Sequence, residues 1–432
     1  MKLELKAPNY CATVVRIEEG DLYSVLGLDN LRGYSKFGMQ ALVSKDTAPG
    51  LYILFSTEVQ LSDEYAAINN LYRDATKNAD PEQRGYLEEN RRVKALKLRG
   101  NRSESLLMPI SSLTYWLGEE VFELREGDVF DSVNGQEICR KYVPKGTKEP
   151  GAGNQPKARV RRFDEKLFPQ HIDTGSYFRL ADTIPADAHV TITQKLHGTS
   201  VRVGRVPVEA PQKWWERLLR LPVRTEHKFV VGSRRVVKSV DGEVEGTKEH
   251  YYADDLWSGY AAKEKLADKI PADHLVFGEL VGFTPDGKEI QKNYTYDCEP
   301  GEARLYVYRV ATVTSDGVVV DYTDNAMRQF CNERGLLAVP KLDAGPRGQI
   351  VGHDPEDISF LMDVRYYDDY LKKFPFAEQP IPLSHKKTVD EGVVVRWDSP
   401  TGFFALKAKS PEFIAHETKQ LDAEVADIEA AA

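Results

Sequence analysis

A basic segment rich in proline and glycine divides this chain into two stretches of different texture. Residues 144–162, PKGTKEPGAGNQPKARVRR, contain three prolines, three glycines and many basic side chains against a single acid. Such a composition interrupts helices and strands and is typical of a linker. The 432 residues suit two to three domains at roughly 150 residues each. We therefore predict one domain over 1–143 and a second over 163–432.

The overall composition excludes several classes of protein. Apolar residues make up 41% and charged residues 29% of the chain, with a mean hydropathy of −0.47. These values exclude a disordered, collagen-like or coiled-coil chain. No apolar run reaches the roughly 18 to 20 residues of a membrane span. The first twenty residues alternate charged and apolar side chains, unlike a secretory signal, so we expect a cytoplasmic protein.

Charge and cysteine content narrow the binding functions. The net charge of −9 argues against a protein that coats nucleic acid nonspecifically, although it leaves room for a locally basic groove. The four cysteines at 11, 139, 298 and 331 are far apart and form no CxxC pair. Neither a zinc knuckle nor a disulfide framework is indicated, and we expect reduced thiols.

The first stretch predicts a small β-domain. Short apolar segments bounded by turn residues lie at 9–19, 38–45, 50–57, 93–100, 105–110 and 135–143, with one polar helical insertion near 62–90. Six short strands and one helical excursion favour an OB-like barrel. In the strand at 93–99, basic residues alternate with Leu96 and Leu98. This basic face is either a solvated surface or a phosphate contact.

The second stretch predicts mixed strands and helices. Residues 213–221, KWWERLLRL, have a helical pattern that ends at Pro222. We expect its four large apolar residues, Trp214, Trp215, Leu218 and Leu219, to fill a core rather than to stack on bases. The chain from Pro411 onward is predicted to form an acidic closing helix.

One segment carries a candidate nucleophile. In VTITQKLHGTSVRVG, apolar and threonine residues alternate up to Gln194, which predicts a strand with Lys195 at its end and a turn at Gly198. A lysine can act as a nucleophile if nearby cations or desolvation lower its pKa and keep the amine neutral. An exposed lysine before a hairpin explains the same four residues, so this segment alone does not decide.

Further segments follow in a fixed order. They are GSRR (232–235), VFGELVG (276–282), RLYVYRV (304–310), EGVVVRW (391–397) and FALKAKS (404–410). Together with the lysine segment, this ordered set resembles the covalent nucleotidyltransferases, which comprise ATP-dependent DNA and RNA ligases and mRNA capping enzymes. The resemblance is carried by six short elements between Lys195 and Lys409.

Two details make the chain more similar to RNA ligases. Lys195 is followed by Leu-His-Gly-Thr, whereas DNA ligases usually have KxDGxR, and Ser200 stands at the position of that arginine. DNA ligases and capping enzymes carry an OB domain after the last motif, but only 23 residues follow Lys409. The resemblance thus implies an α+β chain: an N-terminal OB-like β-barrel, then an adenylation domain of antiparallel sheets with flanking helices, as in nick-sealing RNA ligases.

The resemblance also implies roles around the lysine. Lys195 would attack the α-phosphate of ATP, with Gln194, Leu196 and Gly198 lining the nucleotide site. Lys407 and Lys409 share one strand face, opposite to Leu406, and would stabilise the transferred phosphate. Glu391 would hold Mg²⁺ or Mn²⁺. Solvated basic residues on a strand edge, and an acid that caps a hairpin, are the structural alternatives.

Other residues are assigned to the nucleotide in the same way. Glu279 would accept hydrogen bonds from the ribose, and Tyr308 would stack on adenine, a role that passes to Tyr306 if the alignment shifts. Arg234 is the better candidate for the missing arginine, with Arg202 and Arg235 as alternatives. Core packing is the competing explanation for Glu279 and the tyrosines. For His197, where the family often has aspartate, the resemblance supplies no role.

The predicted function is therefore an ATP-dependent RNA ligase that joins 3′-OH and 5′-phosphate ends, at a nick in an RNA or RNA/DNA duplex. It would act through a lysyl-AMP intermediate and an adenylylated 5′ end. The alternatives are an ATP-dependent DNA ligase, a GTP-dependent capping enzyme, and a nucleic-acid-binding protein with an inactive transferase domain. No membrane or protein partner is indicated.

Overall fold

The structure is a computed structural model that describes residues 1–143, 165–210, 212–244, 255–350, 378–383, 388–399 and 402–422. The predicted linker, 144–162, lies outside these residues. The described residues fall into two compact units. The first unit consists of 1–143 with 411–422, and the second unit of the described residues between 165 and 410. Both are rich in antiparallel sheet and carry short helices, which confirms the α+β class.

The first unit contains fourteen strands. They are β1 (Leu3–Glu4), β2 (Ala12–Ile17), β3 (Leu22–Ser24), β4 (Leu31–Lys36), β5 (Met39–Ser44), β6 (Gly50–Ser56), β7 (Val59–Leu61), β8 (Leu96–Leu98), β9 (Asn101–Ser103), β10 (Ser105–Pro109), β11 (Val129–Phe130), β12 (Ser132–Val133), β13 (Gln136–Glu137) and β14 (Cys139–Lys141).

The second unit contributes the remaining strands of the described chain. They are β15 (Gly175–Ser176), β16 (His189–Gln194), β17 (Thr199–Glu209), β18 (Thr225–Gly232), β19 (Val237–Val240), β20 (Glu243–Val244), β21 (His274–Gly282), β22 (Ala303–Val313), β23 (Val319–Asp321), β24 (Leu337–Ala338), β25 (Lys341–Pro346), β26 (Gly392–Ser399) and β27 (Gly402–Lys409).

The described α-helices are mostly short. They are α1 (Asp63–Ile68), α2 (Thr114–Leu117), α3 (Tyr177–Leu180), α4 (Trp214–Leu218), α5 (Leu256–Lys263), α6 (Leu266–Lys269), α7 (Asp324–Arg334), α8 (Arg347–Ile350) and α9 (Pro411–Asp422). The 3₁₀ helices are Glu19–Asp21, Ala75–Lys77, Ile110–Leu113, Gly118–Glu123, Glu165–Leu167 and Ala181–Thr183. Within the described residues, every helix is too short or too polar to cross a membrane.

Each of the six segments predicted as strands in the first unit contains a strand, and the hairpin of β3 and β4 was missed. A four-stranded sheet in the order β10-β6-β2-β11 holds the main apolar cluster, with smaller antiparallel ladders around it. Within the described residues these ladders do not join into a closed barrel. The structure therefore supports a sheet-rich domain, and the OB-like barrel stays a prediction.

The insertion at 62–90 differs from the expected solvated helix. Only α1 and the turn at Ala75–Lys77 are helical. Tyr65, Tyr72 and Leu87 are buried in the main apolar cluster of the first unit. These core positions were not predicted, because apolar residues at irregular spacing among polar residues give no periodic signal.

The closing helix α9 packs within the first unit, although the sequence prediction counted it with the second domain. Phe413 of this helix is fully buried. Arg92, with no exposed side-chain surface, donates to Asp422 Oδ1 at 3.1 Å and to Glu58 Oε1 at 2.6 Å. The chain thus returns to the first unit directly after β27.

Two sheets form the second unit. The small sheet has the order β15-β27-β26-β16-β25, and the large sheet has the order β20-β19-β18-β17-β21-β22-β23 with β24 parallel to β22. Helices α5, α6 and α7 cover one face of the large sheet through a shared apolar cluster. The α7 helix begins after Thr323, whose side chain accepts from the Ala326 N–H, and ends at Gly335 with φ of 60°.

The free faces of the two sheets are turned towards each other. Arg396 of β26 donates to the Tyr308 carbonyl of β22 at 3.3 Å, and its guanidinium lies 4.3 Å from the Phe403 ring centre. Arg309 of β22 also lies over Phe403, at 5.9 Å. Residues 403, 405, 407 and 409 alternate with the buried Leu406 and Ala408, so Lys407 and Lys409 share the face that is turned to the large sheet.

Candidate active site

The segment Lys195–Gly198 connects the two sheets. The small-sheet strand β16 ends at Gln194, and the large-sheet strand β17 begins at Thr199. A Cβ atom on Gly198 would lie 2.3 Å from the Leu280 carbonyl oxygen, so only glycine lets the connection pass this close to β21. The Gln291 side chain donates to the Gly198 carbonyl at 2.9 Å and fixes the crossing.

Lys195 and Glu391 meet because of the register between β16 and β26. Gln194 pairs with Val393, and the Lys195 N–H donates to the Gly392 carbonyl at 2.9 Å. Lys195 Nζ lies 2.6 Å from Glu391 Oε1, with 16% of the lysine side chain and 2% of the glutamate side chain exposed. The sequence had predicted cationic neighbours for Lys195, whereas this contact is with a carboxylate, which stabilises the ammonium form.

His197 lies on the other side of the same carboxylate. Its Nδ1 is 3.7 Å from Glu391 Oε2, and its side chain is 9% exposed. The His197 ring packs edge-to-face on Tyr294 with ring centres 4.7 Å apart. A neutral imidazole in this position packs on Tyr294, and a protonated one would add a second cation to Glu391.

Two tyrosines that were not predicted from the sequence hold the segments on either side of the Lys195–Glu391 contact. The Tyr296 hydroxyl accepts from the His197 N–H at 2.7 Å, and the Tyr294 hydroxyl donates to the Val389 carbonyl at 2.8 Å. Burial raises the pKa of the Tyr296 phenol well above its ordinary value; the His197 N–H lowers it, and the Glu391 charge raises it further. Tyr296 is a neutral positioning residue. NYTYD carried no signal, because its partners lie about a hundred residues away.

Glu279 belongs to a row of polar residues across the large sheet. The register pairs Ser200 with Glu279 and Glu279 with Tyr306, so these three side chains share one face. Ser200 Oγ donates to Glu279 Oε2 at 3.2 Å. Ser200, which replaces the arginine of DNA ligases, therefore supports the carboxylate that was assigned to ribose.

The two candidate adenine-stacking tyrosines differ in their surroundings. Tyr306 is 8% exposed, and burial raises the pKa of its phenol while Arg304 lowers it. Tyr308 lies at a β-bulge in β22, where the register shifts opposite Phe277 and Gly278. Its hydroxyl is hydrogen-bonded to His171 Nδ1. The bulge turns Tyr308 towards a segment that the sequence analysis had not connected with the site.

Gln194 and Arg202 make extensive contacts within the protein. The Gln194 side chain both donates to the Ile381 carbonyl at 3.1 Å and accepts from the Ile381 N–H at 2.8 Å. Arg202, 2% exposed, donates to the Ser233 carbonyl at 3.0 Å and to the Phe168 carbonyl at 2.8 Å. Gln194 thus holds the 378–383 segment, and Arg202 holds the loop that presents Arg234. Leu196 is also buried.

Arg234 lies in a group of charged residues. It donates to Asp173 Oδ1 at 2.5 Å. Burial raises the pKa of Asp173, but the Arg234 hydrogen bond and charge, followed by the charges of Arg235 and Lys407, hold it below its ordinary value. The structure therefore brings three predicted cations close to one carboxylate that the sequence analysis missed.

The donor set fits a divalent ion held mainly by a bound ligand. In the part of the chain that the structure describes, no group of three His, Cys, Asp or Glu side chains is placed to hold a metal ion. Mg²⁺ is commonly bound by one or two carboxylates together with substrate phosphates. Glu391 and its neighbour Asp390, both buried, provide such carboxylates.

Comparisons with known proteins identify a family and a similar fold. The RNA ligase family matches residues 188–409. Among solved structures, a variant of Naegleria gruberi RNA ligase with ATP and Mn has a TM-score of 0.58 and 17% identity, covering 94% of this chain and 98% of that chain. The same ligase with PPi has a TM-score of 0.57 and 16% identity, with the same coverage. A search of curated sequences finds no match.

Proposed function

Because this chain belongs to the RNA ligase family, we propose that it is an ATP-dependent RNA ligase that joins a 3′-OH to a 5′-phosphate. The finer assignment is a nick in an RNA or RNA/DNA duplex. The contact of Lys195 Nζ with the buried Glu391, 2.6 Å away at the crossing between two sheets, carries this proposal. It places one amine beside one buried carboxylate where the chain crosses from the small sheet to the large sheet.

In the first step Lys195 attacks the α-phosphorus of ATP. A nitrogen–phosphorus bond forms as the bond to the bridging oxygen of the β-phosphate breaks, and pyrophosphate leaves with the electron pair. The ammonium form of Lys195 must lose a proton before the attack, and Glu391 Oε1 is the acceptor within hydrogen-bond distance. The product is lysyl-AMP.

Lys407 and Lys409 stabilise this step from the facing strand. Their shared face on β27 is the one turned to the large sheet. Their positive charges disfavour a protonated Lys195 and stabilise the negative charge that builds on the phosphate. Mg²⁺ or Mn²⁺ near Glu391 would supply further charge neutralisation.

The large sheet binds the nucleoside. Glu279, supported by Ser200, accepts hydrogen bonds from the ribose hydroxyls, and Tyr308 or Tyr306 stacks on adenine. Arg234 binds a phosphate or ribose oxygen when it exchanges Asp173 for the substrate. Gly198 and Leu196 line the entrance to this pocket. A ligand in this cleft contacts both sheets, so binding and positioning are coupled.

Two further steps use the same cleft. AMP passes from Lys195 to the 5′-phosphate of the RNA, and the 3′-OH then attacks that phosphorus and expels AMP. Both steps need positioning and charge neutralisation rather than a second nucleophile. We propose that the first unit acts as an OB-like module on the nucleic acid. The four cysteines are buried thiols, in accord with a cytoplasmic enzyme.

Protein labelling tests the first step. The purified protein is incubated with Mg²⁺ and α-labelled ATP or GTP, and acid-stable label on the protein is measured. We expect labelling by ATP, its loss in Lys195→Ala, and full labelling in the control Lys263→Ala, which removes an exposed lysine on α5. Full labelling of Lys195→Ala, or no labelling of the wild type, would refute the proposal.

Sealing assays test the substrate. Nicked duplexes are compared whose 3′-OH strand ends in ribonucleotides or in deoxyribonucleotides. We expect faster sealing of the ribonucleotide end, because RNA is distinguished from DNA through its 2′-OH. Equal rates would contradict an RNA ligase and favour a general polynucleotide ligase.

A further inference from the structure

The connection between β17 and β18 exposes large apolar side chains. We call residues 212–224 the Trp–Arg excursion; it contains α4. Its apolar residues were predicted to fill a core, and this prediction is wrong. The exposed fractions are 77% for Trp214, 39% for Trp215, 73% for Leu218 and 64% for Leu219. Isolated exposed apolar residues are ordinary, but a contiguous group of this kind marks a contact surface.

The excursion is folded around an acid rather than an apolar core. Glu216 is only 7% exposed. It accepts from the Lys213 N–H at 2.6 Å and from Arg224 at 3.0 Å. Two backbone bonds, Leu219 N–H to the Trp215 carbonyl and Ala210 N–H to the Arg224 carbonyl, fix the turn and its base. This network holds the large apolar side chains outward.

The same surface is cationic. Lys213, Arg217, Arg220 and Arg224 are all exposed, and Glu216 is the single acid of the excursion. The whole chain has a net charge of −9, so this local excess of positive charge runs against the average. Cations interleaved with aromatic side chains are typical of surfaces that bind nucleic acid.

We propose that the Trp–Arg excursion is a docking surface for duplex RNA at a distance from the ends being joined. This inference rests on the proposed RNA ligase function and extends it. Arg217 and Arg220 contact phosphates. Trp214 and Leu218 lie against the sugars of the wide, shallow minor groove of A-form RNA.

The charge and the size of the excursion favour RNA over a second copy of the chain and over a membrane surface. A second copy of the chain would bring like charges together across a symmetric interface. The membrane affinity of an interfacial helix grows with the apolar area that it buries, and α4, with five residues, offers little such area. A polyanion is attracted by the cations and accommodates the exposed rings.

The position of the excursion predicts how long the RNA must be. The eleven residues of β17 separate it from the end of the sheet where Lys195 lies. At about 3.3 Å per residue, the strand spans roughly 33 Å. This length corresponds to at least about ten base pairs, because a B-form duplex rises about 3.4 Å per base pair and A-form RNA rises less. Duplexes with shorter arms would reach the active site without touching the excursion.

Binding measurements with two duplex lengths test the inference. Full-length protein is titrated into fluorescent nicked RNA duplexes with arms of about 6 or about 20 base pairs, where the longer arm exceeds the ten estimated from the strand. We expect Trp214→Ala/Leu218→Ala to weaken binding of the long duplex roughly tenfold and to leave the short duplex unchanged. The plot of log affinity against log salt has a negative slope, and Arg217→Gln/Arg220→Gln should reduce its magnitude by about two.

Matched controls separate the possible outcomes. Val318→Ala and Lys263→Gln remove an exposed apolar and an exposed basic side chain elsewhere on the second unit; both should bind RNA like the wild type. If the wild type is labelled by ATP but the Trp–Arg variants bind long RNA normally, the docking surface is refuted and the ligase function stands. The docking surface is also refuted if the wild type binds anionic vesicles, the Trp–Arg variants lose this binding, and their affinity for long RNA is unchanged. Absence of labelling in the wild type refutes the proposed function instead.

Discussion

Arg92 is the buried charge on which the attachment of the closing helix depends. Its side chain has no exposed surface; two of its nitrogens donate to the Glu58 carboxylate at 2.6 and 3.1 Å, and a third donates to Asp422 at 3.1 Å. Arg92→Met keeps the apolar volume but leaves the Glu58 carboxylate without its guanidinium. Removal of one partner from a buried ion pair costs about 3–5 kcal/mol, and we expect the free energy of unfolding of the first unit to fall by that amount.

The expected loss comes mainly from the carboxylate left behind. Glu58→Gln/Arg92→Met should therefore cost less than Arg92→Met alone, because no charge remains buried. Arg140→Ala removes a half-exposed partner of Glu137, 3.8 Å away, and should change stability by less than about 1 kcal/mol.

Hydrogen exchange measures the loss of stability in the first unit without the assumption that the whole chain unfolds in two states. Amides of the paired strands β2 and β6 report opening of the first unit, and amides of α9 report release of the closing helix. Both sets should exchange faster in Arg92→Met. A change of less than about 1 kcal/mol in that variant would show that the desolvation cost of the pair cancels its attraction. If Glu58→Gln/Arg92→Met loses as much free energy of unfolding as Glu58→Gln and Arg92→Met lose together when measured singly, the assignment to the Glu58 charge is refuted.

Three further predictions concern single residues. Burial raises the pKa of Glu104, and the Gln40 N–H and the Arg102 charge lower it only in part. Because the pKa in the folded state lies above that in the unfolded state, the charged carboxylate costs stability at pH 8. Glu104→Gln should therefore raise Tm by more at pH 8 than at pH 5. Gly392→Ala places a Cβ 2.0 Å from the Ala408 carbonyl oxygen at φ of 131°; it should destabilise the second unit by about 1–3 kcal/mol in urea unfolding and reduce labelling by ATP. Tyr296→Phe removes the acceptor of the buried His197 N–H and should cost about 1–3 kcal/mol in thermal unfolding, with slower labelling.

Strand alternation made part of the site predictable. The pattern in FALKAKS places Leu406 and Ala408 in the apolar cluster of the small sheet and Lys407 and Lys409 on the opposite face. A period of two is local, so it can be recognised without knowing which strand lies alongside. The same reasoning predicted the strand that leads to Lys195.

The prediction for the Trp–Arg excursion was wrong because the apolar face of its helical pattern was assumed to pack against a core. A helix of five residues between two strands is positioned by its base, and Glu216 provides the inward contact. Trp214 and Leu218 obey the helical spacing, but spacing does not say which face is buried. Asp173 and Tyr296 were missed for another reason: each acts through a partner far along the chain, Arg234 and His197.

The site geometry depends on the register of one ladder. Lys195 reaches Glu391 because Gln194 pairs with Val393, which places the lysine backbone against Gly392. A slip of one residue would turn Val393 and Val395 out of the apolar cluster and reverse the faces of the neighbouring side chains. Burial of the valines therefore fixes the position of the charged pair. The apolar pattern of EGVVV and VTIT serves the chemistry as directly as the lysine itself, since it determines where the amine and the carboxylate meet.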